Sequence, residues 1–169
     1  MPTLDLRRLA AEEFVEVVEE LDSGLPLWEG TGLTLAGPVK VDLVAHETGE
    51  SEVVARGELS TVLARECRRC LATSEERFEL DVTFVWSGDV EFRGEGGEIR
   101  ALPTGKDEID VAEAVREELL LAVPAFTECT PNCRGLCPRC GTNLNEQSCD
   151  CTVEERDPRW DALRALQSE

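Results

Sequence analysis

Six of the chain's eight cysteines, Cys129, Cys133, Cys137, Cys140, Cys149 and Cys151, fall within 23 residues. Crowding of this kind is not a packing pattern. Thiols so close either crosslink, remain labile, or hold metal. The opening residues, Met1-Pro2-Thr3-Leu4-Asp5-Leu6-Arg7-Arg8-Leu9, lack the apolar stretch of a secretory leader. That points to the cytoplasm, where cysteines are kept reduced or hold metal. Cys137-Pro138-Arg139-Cys140-Gly141 has the spacing of a tight knuckle that brings two thiolates to one ion, with the glycine freeing the turn from a Cβ clash. A tetrahedral zinc needs four ligands at about 2.3 Å, normally two separated pairs. Cys137 and Cys140 with two of Cys133, Cys149 and Cys151 form the favoured set, and Cys129 stands outside it. A two-zinc cluster sharing thiolates would use all six. Four thiolates close the site at a net charge of about −2 with no position for water or substrate, so the expectation is structural zinc, about one per chain.

Cys67-Arg68-Arg69-Cys70 is a second Cys-x-x-Cys, placed at the end of a strand. Three roles stand open for this thiol pair. It can shape a strand turn, act as a redox pair whose flanking arginines favour thiolate, or reach the zinc of Cys137 and Cys140.

The hydrophobic pattern reads as α+β. Phe14, Val17, Val18 and Leu21 recur at helical spacing among Glu12, Glu13, Glu16, Glu19 and Glu20, which predicts an amphipathic helix over residues 10–21. The period then changes to two through Leu33 and Leu35, through Val39, Val41, Leu43 and Ala45, through Val53 to Leu63, and through Phe78, Leu80, Val82, Phe84 and Trp86. These strands predict an antiparallel sheet with one wet face. Glycines accumulate over residues 87–106, which reads as a mobile loop. A second helix capped by Asp107 or Asp110 then buries Ile109, Ala112, Val115 and Leu119 and ends at Pro124. The expected organisation is an α+β domain over residues 1–126, with N-terminal and second helices, and a zinc-knuckle tail over residues 127–169. A short helix around Trp160, Leu163 and Leu166 closes the tail.

The chain has 169 residues and a formal net charge of −19, which repels phosphate and anionic lipid at long range. Its longest apolar run is far short of a membrane span. The glycines match neither a dinucleotide fingerprint nor a phosphate loop. With His46 the only histidine and no nucleophile elbow, the residues argue against an enzyme. Arg65, Arg68, Arg69 and Arg77 make one locally basic stretch, and Arg134 with Arg139 a second; the chain lacks the broad basic, aromatic surface of an ordinary RNA binder, so any RNA or partner contact is expected to be local, at Arg65, Arg68, Arg69, Arg134 and Arg139.

Cys67-Arg68-Arg69-Cys70-Leu71, the helix from Val115 to Pro124, the run from Cys133 to Asn145 with Cys149-Asp150-Cys151, and Asp157-Pro158-Arg159-Trp160 together resemble the bacterial and plastid YceD family, the large ribosomal RNA subunit accumulation proteins. The resemblance covers roughly residues 58–166. It implies a cytoplasmic, non-enzymatic ribosome-biogenesis factor that promotes synthesis, processing or stability of large-subunit (23S) ribosomal RNA. It carries over Cys67, Arg69, Cys70, Arg116, Glu117, Leu119 and Pro124 as shared positions. The expected partner is that RNA or its precursor. Two alternatives remain: an acidic chaperone-like adaptor for a basic ribosomal protein, and a Cys67/Cys70 thiol oxidoreductase.

Overall fold

The computed structural model describes residues 1–49, 51–88 and 99–151. Two compact units divide the chain: Met1–Arg65 with Ser74–Ala125, and Glu66–Thr73 with Phe126–Glu169.

The first unit is α+β. Strand β1 (Thr3–Asp5) leads into helix α1 (Leu6–Ala11), capped by Asp5, whose carboxylate accepts the N–H groups of Arg7 (2.8 Å) and Arg8 (3.1 Å). Strands β2 (Val15–Leu21), β3 (Val39–Glu47), β4 (Glu52–Glu66) and β5 (Thr73–Ser87) follow. After them come β6 (Ile99–Ala101), β7 (Glu108–Asp110) and helix α2 (Ala112–Ala122). A five-stranded sheet runs β2-β3-β4-β5-β6, and β1 pairs with β7 in a second, two-stranded sheet. The β2/β3 and β3/β4 ladders are antiparallel, whereas β6 lies parallel to β5 with Val85 opposite Ile99.

Alternation builds the core. Val39, Val41, Leu43 and Ala45 point inward from β3 and meet Val53, Ala55 and Leu59 of β4 and Val82, Phe84 and Trp86 of β5. Gly57 of β4 stands opposite Leu43, and a Cβ there would fall 1.9 Å from the Asp42 carbonyl oxygen. Only glycine allows the two strands to approach this closely. Helix α2 buries Ala112, Ala114, Val115 and Leu119, and its first N–H is taken by Asp110 at 2.9 Å. It stops at Val123, because the residue before a proline avoids the helical region.

Three expectations change. Residues 10–21 do not form a helix: α1 ends at Ala11, and Val15, Val17 and Leu21 turn inward from strand β2 while Val18 is 66% exposed. The valines fit both periods. Their β-branching and the seven-residue ladder with β3 decide for the strand. Ile109 belongs to β7, leaving the helix to begin at Ala112. Within residues 87–106, the segment Ile99–Ala101 is a strand, and the Leu102 N–H bonds the Ser87 carbonyl at 3.0 Å. Residues 89–98 of that loop and the expected helix around Trp160 lie outside the described residues.

Candidate metal centre

The second unit contains all eight cysteines, every one a free thiol. It includes the turn Glu66–Thr73, which the expected boundary at residue 126 placed with the sheet.

Both Cys-x-x-Cys turns have one local geometry. In the first, the Leu71 N–H bonds the Cys67 carbonyl (2.9 Å) and the Cys67 N–H bonds the Ala72 carbonyl (2.9 Å). In the second, the Gly141 N–H bonds the Cys137 carbonyl (2.9 Å) and the Cys137 N–H bonds the Thr142 carbonyl (2.8 Å). The fifth residue of each is left-handed, Leu71 at φ 59° and Gly141 at φ 74°. This fold of the backbone aims N–H groups at sulfur: Arg69 N–H lies 3.4 Å from Cys67 Sγ. Glycine takes the left-handed position without steric cost, whereas Leu71 is held there against its preference.

The chain beyond the sheet runs along the first turn. Thr127 forms a bridge with Cys67 and its carbonyl accepts the Arg68 N–H at 3.0 Å; the Arg69 carbonyl accepts the Leu136 N–H at 2.9 Å. Gly135 makes this contact possible, since a Cβ there would lie 2.9 Å from the Arg69 carbonyl oxygen. The result is two groups of four thiols. Cys67, Cys70, Cys129 and Cys133 have sulfurs all within 4.8 Å of one another, and so do Cys137, Cys140, Cys149 and Cys151. The structure thus brings Cys129 and Cys133 to Cys67 and Cys70. It leaves Cys137 and Cys140 with Cys149 and Cys151, and no thiol is shared between the groups.

These groups fit a tetrahedral ion. Four sulfurs about 2.3 Å from one centre stand about 3.8 Å apart. Cys67 and Cys133 are separated by 3.8 Å, and Cys70 and Cys129 by 3.6 Å. Asn145 braces the first group, donating from Nδ2 to Cys133 Sγ (3.4 Å) while its Oδ1 accepts the Arg134 N–H (2.7 Å). Protonation is divided within each group. The N–H groups of Cys129 and then Cys70 hold the Cys67 thiol down at about 6. The Thr142 hydroxyl, then its N–H, does the same for Cys140, also to about 6. Cys129 is pushed up to about 12, chiefly by the Cys133 sulfur, and Cys151 to about 12, chiefly by the Cys140 sulfur. Four adjacent thiolates repel, and a divalent cation is the group that relieves the conflict.

The arginines are less free than their sequence suggests. Arg68 bonds Glu128 through Nε (3.0 Å) and a terminal nitrogen (2.5 Å), and Arg69 approaches the same carboxylate at 3.9 Å. Arg65, in the sheet unit, donates to the Pro124 carbonyl. Arg134 and Arg139 are exposed. Charge is uneven: the sheet unit has 27 acidic and 10 basic side chains, the cysteine unit 9 and 7.

Sequence reasoning missed the partition of the thiols, the bracing by Asn145 and the clamp of Glu128. Two Cys-x-x-Cys motifs in a chain of eight cysteines were the available signal for two groups of four.

A family model described as large ribosomal RNA subunit accumulation protein YceD matches residues 55–167, a stretch containing all eight cysteines. A protein of Arabidopsis thaliana named large ribosomal RNA subunit accumulation protein YCED homolog 1, chloroplastic, is 34% identical over 67 residues, 40% of this chain and 21% of that protein. The Zea mays protein of the same name is 40% identical over 55 residues, 32% of this chain and 18% of that protein. An uncharacterized protein of Mycobacterium tuberculosis is 29% identical over 124 residues, 73% of this chain and 59% of that protein. The chain therefore spans from about a fifth to three-fifths of these relatives' lengths. No solved structure matches it.

Proposed function

Because this chain belongs to the YceD family, we propose that it is a non-enzymatic ribosome-biogenesis factor promoting the synthesis, processing or stability of large-subunit ribosomal RNA. The observation that carries the reading is the family match over residues 55–167, which takes in both thiol groups and the helix α2. Each group holds one structural zinc: Cys67, Cys70, Cys129 and Cys133 the first, Cys137, Cys140, Cys149 and Cys151 the second. Bound there, zinc would crosslink segments whose apolar cluster among the described residues is limited to Cys67, Cys70, Cys133 and Leu136. A closed set of thiolates leaves no coordination position for substrate, which fits a factor without catalysis. Among the described residues no helix is long and apolar enough to cross a membrane, and the proposed location is the cytoplasm.

RNA contact is assigned to Arg68, Arg69, Arg134 and Arg139 of the cysteine unit and to Arg65 of the sheet unit. A second reading is favoured by the uneven charge: the sheet unit, with 27 acidic side chains against 10 basic, attracts a basic ribosomal protein and repels RNA. Crosslinking in living cells, followed by sequencing of the attached RNA, tests the choice. Enrichment at one large-subunit site, lost in an Arg68→Glu/Arg69→Glu variant, supports direct RNA contact. Absence of a crosslink together with recovery of a basic ribosomal protein supports the adaptor. Depletion of the protein without a fall in large-subunit relative to small-subunit ribosomal RNA overturns both.

A further inference from the structure

The two thiol groups differ in how their ligands are held. In the first, Cys67 and Cys133 are 1% exposed, Cys70 is 6% exposed and only Cys129 is open to solvent. Its two limbs are fastened to each other by backbone bonds from Arg68 to Thr127 and from Leu136 to Arg69. In the second, Cys137 is buried, Cys149 and Cys151 are half-buried and Cys140 is exposed. One limb, residues 137–142, is a closed turn. The other hangs from the bond between the Gln147 N–H and the Asn143 carbonyl (3.0 Å), and among the described residues 148–151 make no backbone bond to any other segment.

We propose that the two zinc sites are unequal: Cys67, Cys70, Cys129 and Cys133 retain their ion, whereas Cys137, Cys140, Cys149 and Cys151 exchange theirs, freeing residues 148–151. This rests on the zinc reading above. A four-coordinate site loses its ion only when a sulfur leaves and a competing ligand enters. Departure of Cys149 and Cys151 breaks no backbone bond to the preceding chain, whereas departure of Cys129 and Cys133 requires the limb fastened to Arg68 and Arg69 to open. The second site is therefore a point where zinc supply sets the course of residues 148–151. The first is a permanent staple.

The test uses full-length, zinc-loaded protein and an excess of a chromogenic pyridylazo chelator at neutral pH. Released zinc is followed by absorbance while samples are trapped with N-ethylmaleimide and mapped by peptide mass. Two phases of about one zinc each are expected, separated at least about tenfold in rate. Labelling of Cys137, Cys140, Cys149 and Cys151 should accompany the fast phase while Cys67, Cys70 and Cys133 stay protected. In Cys151→Ser the fast phase should disappear and the slow one persist. A single phase of two zincs, or early labelling of Cys67, Cys70 and Cys133, overturns the inequality with the zinc reading intact. Protein that neither contains nor takes up zinc overturns the zinc reading itself.

Discussion

Gly135 and Gly141 provide a matched pair for measuring how closely the two limbs of the first thiol group approach. Both sit at φ 74°. Alanine costs about 1–2 kcal/mol in this left-handed region at either position. Restriction of the unfolded chain returns about 0.4–1 kcal/mol at either position. These two effects cancel in the comparison. What differs is space: nothing lies within 4 Å of a Cβ at Gly141, whereas at Gly135 the Arg69 carbonyl oxygen would be 2.9 Å away. That carbonyl also accepts the Leu136 N–H at 2.9 Å, so the movement needed to admit the methyl stretches the bond that joins the limbs. Crowding of about 1–3 kcal/mol, with up to about 1.5 kcal/mol for the bond, places Gly135→Ala roughly 1–4.5 kcal/mol below Gly141→Ala. With zinc bound as proposed above, this corresponds to a loss of zinc affinity about five-fold to 2,000-fold larger for Gly135→Ala, read at the first site, than for Gly141→Ala, read at the second. Chelator competition on each full-length variant, with the two sites distinguished by thiol labelling, measures it. Equal losses, each read at the variant's own site, would refute the close approach of residue 135 to Arg69.

Four further outcomes follow from the same contacts. Asn145→Ala removes the donor to Cys133 and the acceptor of the Arg134 N–H, and should weaken zinc at the first site by about 10–100-fold in the same competition assay. Glu128→Gln releases the guanidinium of Arg68 and loosens that of Arg69; if RNA contacts both, its salt dependence should steepen by about 0.7 per phosphate gained, read from filter binding over a salt series. Val17→Thr should destabilise the sheet unit by about 1–3 kcal/mol while Val18→Thr changes it by about 0.5 kcal/mol or less, because Val17 faces the core from β2 and Val18 the solvent. Equal effects in urea unfolding would restore the helical reading of residues 10–21. Gly57→Ala should cost at least about 1–3 kcal/mol by forcing β4 from the Asp42 carbonyl, measured by the same unfolding.

The α+β character, strands β3, β4 and β5, the helix before Pro124 and a cysteine cluster that could hold a metal ion are legible in the sequence, because each rests on a local rule. Alternation needs only neighbours two apart, a proline ends a helix wherever it stands, and Cys137-Pro138-Arg139-Cys140-Gly141 carries its own turn geometry. Where two periods fit the same residues, as in Val15 to Leu21, the local rule is silent and the ladder with β3 decided. The partition of eight thiols into two groups of four belongs to the same class. Cys67 and Cys133 stand 66 positions apart, and their sulfurs meet only because Thr127 and Leu136 bond the Arg68-Arg69 turn across a glycine. Spacing along the chain specifies which cysteines can form a turn. Pairing one turn with a distant limb is a matter of backbone bonds between segments, which only the tertiary structure supplies.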